Sequence, residues 1–389
     1  MNFAITFIMN NSRTFFASVR YIITKISIST PQTGKQQHYE LGQWFRRRYN
    51  SLVSAKYNMS EMRVQSTDVD RTLMSAQSNL AGFYPPEGKD VWNENVAWQP
   101  IPVHTVPEKL DDILAAKKPC PVYDYELKKL YKSQEFKALD KSNAAIYKYL
   151  TKNSGKTVNS LQSVQNIYSC LHIEEINGFA LPEWTNEVYP EKLFPISGLS
   201  FAVKTYTPLL ARLKSGPLLK EILSHFKNKT KNKHDQKYWV YSAHDTTVAN
   251  MLNTLGVFKT LGYHNPPYTS TVMFELRKYG DDLRVQVFYK NTTADPQAID
   301  LPGCGTSCPL DKMFEVYKEV LPVNWADECT LSLFQMPLSV SVDDSISKST
   351  IFAFVALMMI AGFLVLFIAT VYKRRDYEKW NNFNDGGWN

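Results

Sequence analysis

The sequence predicts an α/β sheet domain, split by a helical insertion and followed by one carboxyl-terminal transmembrane helix. Three observations support this. Twice, near residues 62–80 and 238–255, a short strand pattern ends in a polar loop from which a helical pattern departs. Between these places, residues 122–233 show mainly the helical spacing of apolar residues. Near the end, Ile351 to Tyr372 contains no charged residue.

Composition sets the outer limits. The chain has 389 residues, 44% hydrophobic and 21% charged, which suits a folded protein with a substantial core and excludes a disordered one. The formal charge is +7, much of it in the runs Arg46–Arg48, Lys227–Lys233 and Lys373–Arg375. A modest basic balance attracts phosphorylated substrates or phospholipid. No zinc-finger, basic-zipper or base-stacking signature accompanies it, so nucleic acid is not an expected partner.

In chain order, residues 1–32 form an atypical amino terminus. Phe3 to Met9 is apolar but is soon broken by Asn10, Asn11 and Arg13, which makes a poor signal peptide. Leu41, Trp44, Phe45, Tyr49 and Leu52 then recur at helical spacing. Met62–Gln65 reads as a strand, and Ser66-Thr67-Asp68 offers several N-caps for a helix through Leu73, Ala76 and Leu80 that stops at Pro85-Pro86. The sheet domain is expected over 33–121 and 234–335, with the helical cap at 122–233. In the second part, Tyr238–Tyr241 is a buried strand, and a helix through Val248, Met251, Leu252 and Leu255 ends at Gly256. Thr271–Leu276 and Leu283–Tyr289 form two strands joined at Gly280-Asp281-Asp282.

After a linker at 336–350, Ile351–Tyr372 spans roughly 33 Å as a helix, enough for a bilayer core. Lys373-Arg374-Arg375 follows and places the tail, 373–389, in the cytosol. The sequons at Asn58, Asn228 and Asn291 agree with a lumenal or extracellular main body. Cys304 and Cys308 are spaced as a small disulfide staple rather than a metal knuckle, since no second Cys/His pair follows.

The two strand–loop–helix junctions are where chemistry is expected. Unsatisfied N–H groups and the macrodipole at a helix start favour an anion, and ligands of open α/β sheets bind beyond the carboxyl ends of strands. In Ser66-Thr67-Asp68-Val69-Asp70-Arg71, the arginine sits in the first helical turn. It either holds an anion there or is neutralised by Asp68 or Asp70. In Ser242-Ala243-His244-Asp245, a carboxylic acid can protonate a leaving oxygen while the imidazole donates to a phosphoryl group. Alone, a His-Asp pair is unspecific.

Taken together in one order, STDVDRTLMSAQSNLAGFYPP, WQPIPVH, YSAHDTTVANML, PPYTSTVMFEL and LPGCGTSCPL resemble the lysosomal and prostatic type of histidine acid phosphatase, from about Thr33 to Cys329. The resemblance implies a central mixed sheet flanked by helices with a helical cap, a membrane-anchored phosphomonoester hydrolase, a phosphohistidine intermediate, and no metal or cofactor. It makes Arg71 a phosphate-binding arginine, His244 the second phosphate-binding histidine and Asp245 the proton donor. His104 is a weaker, supporting candidate, more readily a hydrogen-bonded structural residue. Disulfides map onto Cys120 with Cys329 and Cys304 with Cys308; the position that would complete a third bridge with Cys170 falls near Thr271, which has no thiol.

The family's nucleophile lies in an Arg-His-Gly-x-Arg-x-Pro motif at the end of the first, central strand. That motif is absent: no histidine precedes His38, which falls in a helical pattern. No nucleophile is therefore assigned, and activity is expected to fall by several orders of magnitude. Phe15–Val19 or Tyr21–Ile28 is expected to take the vacant strand position. An alternative or incomplete amino terminus on an otherwise active family member is favoured over a non-catalytic, phosphate-binding pseudoenzyme; a metal-dependent His-Asp phosphohydrolase is third. The expected partners are a phosphate monoester and the membrane, in the lysosome or at the cell surface, and a homodimer stays open.

Overall fold

The computed structural model describes residues 3–10 (backbone only), 32–231 and 236–331, with isolated helical positions between 357 and 370. The chain divides into two units, Met1–Thr330 and Leu331–Asn389.

The first unit is built on seven strands: β1 (Phe3–Asn10), β2 (Met62–Thr67), β3 (His104–Val106), β4 (Tyr238–His244), β5 (Thr271–Tyr279), β6 (Asp282–Lys290) and β7 (Cys308–Pro309). They lie in the order β3-β2-β4-β1-β5-β6-β7. The pairs β2·β3, β2·β4 and β1·β4 are parallel; β1·β5, β5·β6 and β6·β7 are antiparallel. The sheet is thus mixed. Its parallel half is the half with strands ending at the candidate site.

The central strand differs from expectation. It is Phe3–Asn10, not Phe15–Val19 or Tyr21–Ile28, both of which lie outside the described residues. FAITFIMN has no charge, and Phe3, Ile5, Thr6, Phe7 and Ile8 are β-formers, so eight residues suffice for a strand. It runs parallel to β4, with Ala4 opposite Tyr238 and Asn10 opposite His244. On its other side Phe3 faces Leu276 and Ile8 faces Thr271.

β4 is buried on both faces, and its two faces feed two cores. Tyr238 and Val240 join Phe45, Leu80 and Phe83. Trp239 and Tyr241 join Leu219, Ile222, Phe226, Val248 and Leu252. The first core is closed by α1 (Gln32–Arg48) and α2 (Asp70–Phe83). These helices touch at glycines: a Cβ on Gly42 would lie 2.0 Å from the Asn79 carbonyl oxygen, and one on Gly82 2.0 Å from that of Tyr39. His38 is buried in this contact, its carbonyl accepting from Asn79 Nδ2 at 3.2 Å, so it belongs to packing.

The insertion supplies α3 (Pro121–Tyr131), α4 (Gln134–Ser142), α5 (Ala144–Ser154), α6 (Leu161–Ile176), α7 (Leu193–Val203), α8 (Pro208–Lys214) and α9 (Gly216–Thr230). Ser160 and Ser163 make a capping box at the start of α6. Phe136, Leu150, Val164, Leu193 and Val203 form a separate cap core. The buried side of α9 belongs instead to the sheet. Helix α10 (Asp245–Thr254) follows β4 directly, and Gly256 beyond it has φ +76, as a glycine after a helix end allows. β5 and β6 pair from Thr271–Lys290 to Tyr279–Asp282, turning at Gly280, φ +59.

Cys120–Cys329 and Cys304–Cys308 are disulfides, as the resemblance implied. Asn58 and Asn291 are exposed, whereas Asn228 is half-buried within α9. Among the described residues no helix is long and apolar enough to cross a membrane. Most of Ile351–Tyr372 lies outside them; the described positions Leu357, Ile360, Phe363, Leu364 and Phe367 are exposed.

Candidate active site

The carboxyl ends of β2 and β4 lie beside each other, with Ser66 opposite Ser242 in the register. Each continues into a helix, α2 from Asp70 and α10 from Asp245. Arg71, His244 and Asp245 therefore converge, although 173 residues separate the arginine from the histidine. Asp68 and Asp70 are exposed, and the Arg71 guanidinium turns to the imidazole, Nη2 lying 3.3 Å from His244 Nδ1.

The expected N-caps do not cap. The N-cap of α2 is Val69, extended and without a side-chain cap bond. The Thr67 hydroxyl, fully buried, is turned toward the site instead: it lies 2.8 Å from Thr72 Oγ1 and 3.1 Å from His244 Nε2. Thr72 donates its proton to backbone, 2.7 Å to the Val69 carbonyl and 3.0 Å to that of Thr67. Its oxygen thus accepts from Thr67, Thr67 accepts from His244 Nε2–H, and Nδ1 accepts from Arg71. In this arrangement the imidazole is held between the Thr67 hydroxyl on one side and the Arg71 guanidinium on the other.

Asp245, the first residue of α10, is 3% exposed and accepts from the Thr246 N–H at 2.6 Å. Burial raises the nearby Tyr268 phenol to about 12, with the Asp245 charge adding to the rise. A carboxyl group in such a setting can deliver a proton to a leaving oxygen.

Arg71, His244 and Asp245 line a cavity of about 270 Å³. Thr246 and Thr247 line it beside Asp245, and Lys117, Lys204, Lys214, Ser215 and Asn250 add polar groups that no sequence motif marks. They come from a loop, two helix ends and the body of α10, and no spacing links them. His104 is not among the described lining residues; it stands exposed on edge strand β3. An edge strand that pairs only with β2 leaves this side chain in solvent.

Residues 8–290 match the model for the histidine phosphatase superfamily (branch 2). The chain belongs to this superfamily. The match opens at Ile8, within β1, and so extends the resemblance upstream of Thr33. Prostatic acid phosphatase of Bos taurus is 38% identical over 307 residues, covering 77% of this chain and 78% of its own length. Lysosomal acid phosphatase of Xenopus laevis is 34% identical over 341 residues, covering 85% and 77%. By family the chain is thus a phosphomonoester hydrolase of the acid phosphatase kind. Among solved structures, the phytase of Klebsiella sp. ASR1 superposes with TM-score 0.62 at 15% identity, covering 87% of this chain and 99% of that one. A Hafnia alvei phytase in complex with tartrate gives 0.60 at 14%, covering 85% and 98%. These two share the fold.

Proposed function

We propose that this chain carries an acid phosphatase-type site that holds phosphate monoesters between Arg71 and His244, with Asp245 as the proton donor, and in which attack on phosphorus is impaired. One observation carries the impairment: β1 ends at Asn10, directly opposite His244. Setting the family's Arg-His-Gly-x-Arg-x-Pro motif on that strand end matches it to Met9-Asn10-Asn11-Ser12-Arg13-Thr14-Phe15. Asparagine then stands where the motif has the attacking histidine and methionine where it has the first arginine, while Arg13 matches the second in sequence position alone. A neutral amide forms no phosphoenzyme, and the loss of one arginine weakens charge stabilisation in the transition state.

The domain is proposed to lie in the lysosomal lumen or outside the cell, anchored through Ile351–Tyr372; the lysosomal and prostatic relatives and the exposed sequons at Asn58 and Asn291 support this side. The test is turnover of p-nitrophenyl phosphate at acid pH by the purified full chain and by the triple variant Met9→Arg, Asn10→His, Asn11→Gly. The wild type should be slower than bovine prostatic acid phosphatase by several orders of magnitude, with the variant recovering part of the difference. Wild-type turnover equal to that relative's would refute the impairment. Phosphate binding without turnover would favour the receptor-like, non-catalytic reading, for which Asn10 is the supporting feature.

A further inference from the structure

The wall of the cavity beyond the phosphate-holding pair is cationic to a degree one phosphoryl group does not require. Among the described residues its lining includes Arg71, Lys117, Lys204 and Lys214, with Asp245 as the one carboxylate. Lys214, the last residue of α8, is half-buried. It donates to the Ala116 carbonyl at 2.6 Å and lies 5.2 Å from the centre of the Tyr123 ring. Burial pulls its ammonium below the ordinary lysine range, Asp124 opposes that and Lys117 adds to it.

Tyr123 also donates to the carbonyl of Lys204 at 2.9 Å, which ties the end of α7 to the same wall. Lys117 is exposed and pairs with Glu108. Lysines at helix ends compensate the negative pole there, which explains Lys204 and Lys214 one by one. It does not explain why both border one cavity.

The loop that completes this wall is held in a form with a cost. The Asp111 carboxylate accepts from the N–H groups of Ile113, Leu114 and Ala115, and Ala116 adopts φ +48, the left-handed region that favours glycine. The result aims the Ala116 carbonyl at Lys214. On the wall formed by α10, Asn250 is 5% exposed, and its side-chain oxygen has no hydrogen-bond partner among the described residues. A buried amide oxygen of this kind is stabilised by a hydroxyl or water in the cavity.

We infer that the site selects compact phosphate monoesters that bear a second anionic group, a phosphate or a carboxylate, on the alcohol portion. The phosphoryl group sits at Arg71 and His244, the second anion at Lys214 and Lys204, and a hydroxyl between them donates to Asn250. A cavity of about 270 Å³ is at the small end of ligand pockets and suits a phosphorylated sugar or sugar acid. This rests on the reading of Arg71 and His244 as the phosphate holders.

The test is calorimetric binding to the purified full chain at pH 5, with three matched probes: glucose 6-phosphate, glucose 1,6-bisphosphate and 6-phosphogluconate. The second and third should bind more tightly than the first by about tenfold, the value of one added charge-assisted contact. Which of the two binds better identifies the second anion. That preference should collapse toward unity in Lys214→Met and persist in Lys214→Arg, with Lys204→Met as an independent variant if Lys214→Met does not fold. Equal binding of all three probes by the wild type overturns the inference and leaves the phosphate site standing. A preference that survives both methionine variants also overturns it. Absence of binding by every probe removes the phosphate-site reading and the inference with it.

Discussion

Thr67→Val tests whether the buried hydroxyl network orients the site. Valine fills nearly the same volume, so the effect isolates the hydroxyl. The hydroxyl lies 2.8 Å from Thr72 Oγ1 and 3.1 Å from His244 Nε2, and Thr72 keeps its own bonds to backbone carbonyls without it. What is lost is the acceptor that holds Nε2–H and so keeps Nδ1 facing Arg71. A neutral hydrogen bond of this kind is worth about 1 kcal/mol, or roughly fivefold in affinity. Titration calorimetry with inorganic phosphate at pH 5 should show that weakening in Thr67→Val. Thr67→Ser, which retains the oxygen, should bind as the wild type does. Circular dichroism checks that each variant is folded. Phosphate affinity in folded Thr67→Val within twofold of wild type would show that the imidazole needs no such support.

Two further outcomes follow from packing and charge. Gly82→Ala places a methyl 2.0 Å from the Tyr39 carbonyl oxygen, so α1 and α2 must move apart, and thermal denaturation should report a loss of about 2–4 kcal/mol. In acid, Glu61 is held down to about 2, first by the hydrogen bond from Lys237 and then by the Ser54 N–H, and the Arg212 guanidinium lowers Glu328. A carboxyl group with a depressed folded value contributes its stability above the ordinary value near 4.5 and loses it as the pH falls toward the folded one. Urea unfolding should therefore find Glu61 fully effective at pH 5 and about 1–2 kcal/mol weaker by pH 2.5, allowing for solvent around Lys237. Glu61→Gln should flatten that part of the profile.

The sheet domain was legible because its strands and helices carry their own signals. Tyr238–Tyr241 is apolar throughout since both faces are covered, and Gly256 follows α10 where a left-handed residue is wanted. Arg71, His244 and Asp245 could be paired because each stands at or just past a strand end. Phe3–Met9, by contrast, reads from its composition as a poor targeting sequence, and such a short uncharged run serves a central strand as readily as a failed leader. Ser66, Thr67 and Asp68 have the chemistry of N-caps, but tertiary demand took Thr67 for the imidazole and left Val69 at the cap. The lysine wall is illegible for a different reason. Lys117, Lys204 and Lys214 are ordinary surface-type residues in three unconnected places, and only the closure of the cap over the sheet brings them to one cavity.

The position of β1 bears on how the chain assembles. β1 is made before both strands between which it lies; they begin 235 and 268 positions after its own start at Phe3, one alongside and one opposed. An uncharged strand with no neighbour is a ready template for pairing with other chains. Throughout synthesis of the helical insertion FAITFIMN has no native mate, so holding it soluble falls to chaperones or to transient contacts. Yield of folded protein should accordingly depend more on this octapeptide's exposure time than on the strength of the finished sheet.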